Sequence, residues 1–262
     1  MTTLEERYLS SYPILAGLGR ADASGVPLGS PMQEFAPDQW RIICEACFGW
    51  VWNRPNLSMM QRSLATISII TALRRDNNLK GHLHSGLDVG LSPEQIVEIM
   101  LQLIFYTGAP IANTALNLAN EVFKERGLKV NPIRVYDANE DPQVLYQRGL
   151  AKRLEVMGED FRSDFQPGDE LDQDWERYTL EYVWGSVWTR PGLDLPSRCI
   201  CTLTALTLVG TEQPIRNYTR AALNVGLTEA QVKELFFHLN FYIGQSLSRR
   251  ALSIAREVFN SQ

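Results

Sequence analysis

The chain has 262 residues, 45% of them apolar and 21% charged, the balance of a water-soluble globular protein with one large or two ordinary domains. Its formal charge of −5, with no Lys/Arg cluster, argues against nucleic acid or an anionic membrane as partner. MTTLEERYLSSYPIL lacks the basic start and apolar run of a signal peptide, and the apolar stretch 96–106 is interrupted by Glu98 and Gln102 and too short to span a bilayer, so a cytoplasmic protein is expected.

In chain order, a Gly/Pro-rich lead (GLGRADASGVPLGSP) precedes a helix over 38–52 that stops at Arg54-Pro55, where X-Pro disfavours helical backbone. Ser58 caps a helix over 58–75 with Met60, Leu64, Ile67 and Thr71 along one side. A shorter helix over 78–89 ends at Gly90. Ser92-Pro93-Glu94-Gln95 supplies an N-cap, a first-turn proline and a capping-box Gln for a helix running to Tyr106. Gly108-Ala109-Pro110 breaks it, and a last helix over 111–126 closes at Gly127. Residues 127–143 and 163–170 read as loop, with a helix over 144–161 between them. No segment alternates with period two, so the fold is expected to be all-α.

The phrase GWVWNRPNL at 49–57 returns as GSVWTRPGL at 185–193. A constant shift of 136 residues also superposes Glu45 on Glu181, Arg62 on Arg198, Glu98 on Glu234, Phe105-Tyr106 on Phe241-Tyr242 and Glu121-Val122-Phe123 on Glu257-Val258-Phe259. One offset holding over this span marks a tandem duplication of a helical unit. The expected division is a first repeat over 1–126, a linker over 127–143 and a second repeat over 144–262; the lead has no counterpart in the second copy.

FGWVWNRPNL, QRSLATISIITAL, NLKGHLHSGLDVGLS and EIMLQLIFYTGAP, with VWGSVWTRPGLD, SRCICTLTAL and NYTRAALNVGLT in copy two, resemble the motifs of the carboxymuconolactone decarboxylase family. The resemblance implies an all-helical, ring-forming, cofactor-free decarboxylase, and the expected substrate is a small carboxylated lactone or enolisable keto acid. With two units fused, the ring would need half as many chains, such as a trimer. The thiol peroxidase branch of that family requires a Cys-x-x-Cys ending four residues before the family histidine. Arg75 and Asn78 stand there instead, which sets that chemistry aside. Cys44 and Cys47 lie on an earlier helix opposite Leu180 and Val183 and read as packing, as do Cys199 and Cys201.

His82 occupies the family histidine position and is the expected general acid/base, with Arg62 as carboxylate anchor. Glu45, Trp52, Gln102 and Tyr106 are expected to shape the site, and Glu45 and Glu181 to pair with Arg62 and Arg198. Arg54 and Arg190 read as staples of the turn. His84 lies two residues from His82, on another side of a helix, so the pair cannot chelate one ion, and Asp88 is its expected neighbour. Copy two has Tyr218 in place of His82 and carries His238 in the slot of Gln102. It is expected to be either scaffold or a different site built from Tyr218, His238 and Arg198. The rival functions are an isomerase or cyclase using the same proton chemistry, and a non-catalytic assembly or binding protein.

Overall fold

The computed structural model describes residues 3–159, 161 and 168–261. Asp160 and positions 163–167 of the expected second loop lie outside them. Twelve α-helices and no strands are present among the described residues. Copy one comprises α1 (Leu4–Gly17), α2 (Pro37–Ile42), α3 (Met59–Ala72), α4 (Asp76–Asp88), α5 (Pro93–Thr107) and α6 (Ala109–Glu125). Copy two comprises α7 (Pro142–Met157), α8 (Glu170–Tyr178), α9 (Leu195–Val209), α10 (Glu212–Asn224), α11 (Glu229–Ile243) and α12 (Gln245–Asn260). The expected cap at Ser58 forms and is a full capping box: Ser58 Oγ accepts from the Gln61 amide at 3.1 Å and Gln61 Oε1 from the Ser58 amide at 3.0 Å. Ser92/Gln95 and Thr228/Gln231 repeat the arrangement.

Two features depart from the sequence reading. The helix expected over 38–52 is α2 followed by a π-helical stretch, Ile43–Val51, and α8 likewise runs into one at Thr179–Trp188. The lead is also not the start of copy one. Before it lies α1, packed on the first π-helical stretch as α7 packs on the second. Gly49 and Gly185 make these approaches possible: a Cβ at Gly49 would strike the Arg7 carbonyl, and one at Gly185 the Leu145 carbonyl. Arg7 and Leu145 are related by a shift of 138 rather than 136, so a search at constant shift passes over α1.

The copies are interleaved. α3 packs on α9 along the centre, α5 of copy one lies on α9 of copy two, and α11 of copy two lies on α3 of copy one. One buried cluster accordingly draws on both, including Leu64, Ile67, Met100 and Leu103 together with Leu203, Leu235, Phe236 and Leu239. Burying such side chains removes about 1.5–3 kcal/mol of apolar exposure each, and here much of it is gained only between copies. No helix among the described residues is long and apolar enough to cross a membrane.

Candidate functional site

The interleaving creates two pseudo-equivalent centres, each built from both copies. In the first, His82 on α4 faces Tyr242 on α11, their ring centroids 6.2 Å apart. His238, one turn before Tyr242 on the same face of α11, lies 5.2 Å from it and 5.1 Å from Trp52. Trp52 Nε1 donates to Tyr242 Oη at 3.0 Å, and Thr66 Oγ1 lies 2.9 Å from His238 Nε2. The lead completes this centre with Arg20. Its Nε donates to Ser85 Oγ at 3.0 Å, and Ser85 Oγ in turn donates to the Gly81 carbonyl at 3.1 Å. The guanidinium lies over Gly81, where a Cβ would come within 3.7 Å of Nη2.

Electrostatics set the protonation of this group. Burial holds the His82 imidazole well below its ordinary value, and the Arg20 charge and His238 depress it further. His238 is fully buried and is pushed down to about 3, by burial first and then by the Arg62 charge. Burial raises the Tyr242 hydroxyl above its usual range. At neutral pH the centre is therefore two neutral imidazoles, a neutral phenol and one guanidinium.

The second centre has the same frame and a different filling. Trp188 Nε1 donates to Tyr106 Oη at 3.0 Å, and Tyr106 Oη lies 2.7 Å from Tyr218 Oη. Tyr218 occupies the place of His82 and stacks against Trp184 and Trp188, with ring centroids 6.5 and 6.0 Å away. Gln102 joins Thr202 at 3.1 Å and accepts from Arg198 at 2.9 Å. Burial lifts Tyr106 to about 12 and Tyr218 well above its ordinary value, so neither hydroxyl titrates near neutrality.

Several expectations from the sequence are corrected here. Gln102 and Tyr106 do not stand beside His82; they belong to the centre of Tyr218. His238 does not join Tyr218 and Arg198, because it belongs to the centre of His82. Both reversals follow from the crossing of α5 and α11 between copies. Trp52 does fall beside the His82 centre. Arg62 and Arg198 are fully buried, and neither pairs with Glu45 or Glu181. Arg62 binds Glu234 and the Arg54 carbonyl; Arg198 binds Glu98 at 3.0 Å and the Arg190 carbonyl at 2.8 Å. Glu45 pairs with Arg41 and Glu181 with Arg177 on its own helix turn. Arg190 is the expected staple, contacting Glu98 at 2.7 Å, and Arg54 reaches Glu234 at 3.3 Å. His84 lies 3.3 Å from Glu125, while Asp88 pairs with Arg126 instead.

All four cysteines are buried and free. Burial raises the Cys44 thiol and pushes Cys47 up to about 12, the opposite of what a reactive thiolate needs.

Sequence reasoning missed Arg20 and Tyr242. The shift that pairs Tyr106 with Tyr242 held the signal for the second. Nothing in the lead marked the first.

The sequence model of the carboxymuconolactone decarboxylase family matches twice, over residues 37–121 and 173–257. The chain is 36% identical to a 4-carboxymuconolactone decarboxylase of Acinetobacter baylyi over 115 residues, 44% of this chain and 86% of that protein. It is 28% identical to a nitrosuccinic acid decarboxylase of Metarhizium robertsii over 124 residues, 44% of this chain and 82% of the relative. Two matched units in one all-α chain, each carrying the family's Trp-x-Arg-Pro phrase, place this protein in the carboxymuconolactone decarboxylase family as a tandem duplication of its unit.

Proposed function

We propose that the chain is a decarboxylase of a small carboxylate that carries a conjugated or enolisable carbonyl, working at the His82 centre alone. The observation that carries this reading is the asymmetry of the two centres: one holds a neutral, half-buried imidazole facing a phenol, and the other is filled by Tyr218. Two relatives named as decarboxylases support the reaction class.

In this reading the C–C bond to the carboxylate breaks, CO2 leaves, and the electron pair is taken up by the carbonyl of the substrate. An anionic substrate beside His82 raises the imidazole's proton affinity, so the ring gains a proton from solvent on binding. It returns that proton to the carbon that lost CO2 and is neutral again. Tyr242, fixed by Trp52 Nε1, presents its hydroxyl hydrogen toward the developing enolate. Arg62 serves the wall rather than the substrate, holding Glu234 and with it the Arg54–Asn56 turn.

The test is CO2 release from freshly generated 4-carboxymuconolactone by wild type and His82→Asn. Release that falls by about 10²-fold or more in the variant supports the reading. Equal release by the two proteins refutes the role of His82. A folded wild type that releases nothing refutes this substrate, and conversion of the lactone without CO2 would favour an isomerase at the same centre.

A further inference from the structure

We propose that Arg20 is the carboxylate-binding residue of the His82 centre, and that the chain therefore has one carboxylate site, not the two its duplication would suggest. The fully buried arginines, Arg62 and Arg198, each have a glutamate, Glu234 and Glu98. Arg20 does not: among the described residues its side chain bonds Ser85 through Nε, and no carboxylate pairs with the terminal nitrogens. A guanidinium drawn into the protein is costly unless an anion meets it, and its planar fork matches a carboxylate. Ser85 fixes the orientation, and the guanidinium lies alongside Gly81, next to His82 on α4.

The second centre has lost this feature. Gly19, preceding Arg20, lies where a Cβ would strike Asp88; Gly158 lies where a Cβ would strike Asn224, the counterpart of Asp88 under the repeat shift. Glu159 accordingly follows Gly158 in the position that Arg20 holds after Gly19. Where the lead offers Arg20 to the His82 centre, the corresponding position of copy two thus carries an acidic residue rather than a cation.

Where this site meets the decarboxylase reading, on which only this step rests, the carboxylate on Arg20 is one the reaction retains. An arginine pair stabilises the anion and would oppose its loss as CO2. The groups that face His82 are Arg20 from the lead, His238 and Tyr242 from α11, and the Cys47 thiol beside them. Arg20 is the one charged group in this set, so a carboxylate that neutralises it favours protonation of His82.

Succinate is a suitable probe, because neither carboxylate is adjacent to an electron sink and no CO2 is lost. Calorimetric titration in buffers of different ionisation enthalpy reads affinity, stoichiometry and proton uptake together. The expected result is one succinate per chain with net proton uptake, and affinity about tenfold or more weaker in Arg20→Gln. Arg20→Lys, which keeps the charge and serves if the glutamine variant does not fold, should bind with intermediate affinity. His82→Asn should bind succinate without the proton uptake. Undiminished binding by folded Arg20→Gln, two succinates per chain, or no binding to wild type at about 10 mM, where a millimolar site would be filled, would each overturn the assignment. Turnover does not enter: succinate binding through Arg20 in a chain that releases no CO2 from 4-carboxymuconolactone would refute that substrate and leave the site standing, and the reverse pattern would refute the site alone.

Discussion

The two centres allow the same chemical change to be made twice with opposite functional results. Tyr242→Phe and Tyr106→Phe each delete one hydroxyl that accepts a 3.0 Å hydrogen bond from a buried indole, Trp52 or Trp188. Both indoles are almost fully buried, so each N–H loses its partner where water does not readily replace it. An orphaned buried donor costs about 1–3 kcal/mol, which for a chain of this size lowers the melting temperature by about 2–5 °C. Tyr106→Phe should sit at the upper end, because it also removes the partner of Tyr218 Oη at 2.7 Å. Turnover should separate the pair. Tyr242→Phe removes a group facing His82 and should lower kcat at least about tenfold, whereas Tyr106→Phe should leave kcat within about twofold at a temperature where both variants are folded. Thermal melts and CO2 release on the same preparations provide the comparison. Equal losses of turnover in both variants would refute the assignment of function to one centre, and a loss confined to Tyr106→Phe would place it in the other.

Glu234→Gln and Glu98→Gln each leave a fully buried arginine without its counter-charge and should destabilise the chain by about 3–5 kcal/mol in urea titrations; glutamate at either position contributing under about 1 kcal/mol would show that the arginines are compensated elsewhere. His238 is held down to about 3 in the folded chain against an ordinary value of 6.5, so the unfolded chain binds the extra proton. Stability should therefore fall as pH drops from about 6.5 toward 3, by up to about 1.4 kcal/mol per pH unit from this residue; His238→Gln, which installs the side chain of the Gln102 slot, should flatten that slope, and an unchanged slope would show that His238 is already charged. Cys47, pushed up to about 12 by burial, should react with iodoacetamide at neutral pH only after unfolding; rapid alkylation of the native chain would contradict the packing reading.

Much of this was legible because it is local. Capping boxes, the X-Pro stop after Asn53 and the 136-residue shift each depend on a few neighbouring residues, and His82 stood out by its motif. What stayed hidden depends on which of two equivalent partners a residue meets. A repeat shows that α5 and α11 are equivalent, but not whether each packs within its own copy or across. Packing across moved Gln102, Tyr106 and His238 to the opposite centres from those the sequence suggested. The pairing of Arg62 failed for the same reason: Glu45 was near in sequence, whereas Glu234 is 172 residues away and directly bonded. Arg20 sat in a stretch with no periodicity to read, and α1 was obscured by its two-residue departure from the repeat shift.

The crossing also ties the proposed single-centre function to copy two, which has Tyr218 where copy one has His82. Copy two supplies Tyr242, His238 and Glu234 from one helix, α11: two rings of the His82 centre and the counter-ion of Arg62. Copy one supplies Glu98, Gln102 and Tyr106 from α5 to the Tyr218 centre. Tyr218, stacked on two tryptophans, gives the second centre aromatic contact where the first has the His82 imidazole. In an assembly of identical single units, a substitution at the histidine would abolish every site at once. Fusion makes the two positions independent, so one can carry Tyr218 and the other His82 while the frame they share is kept.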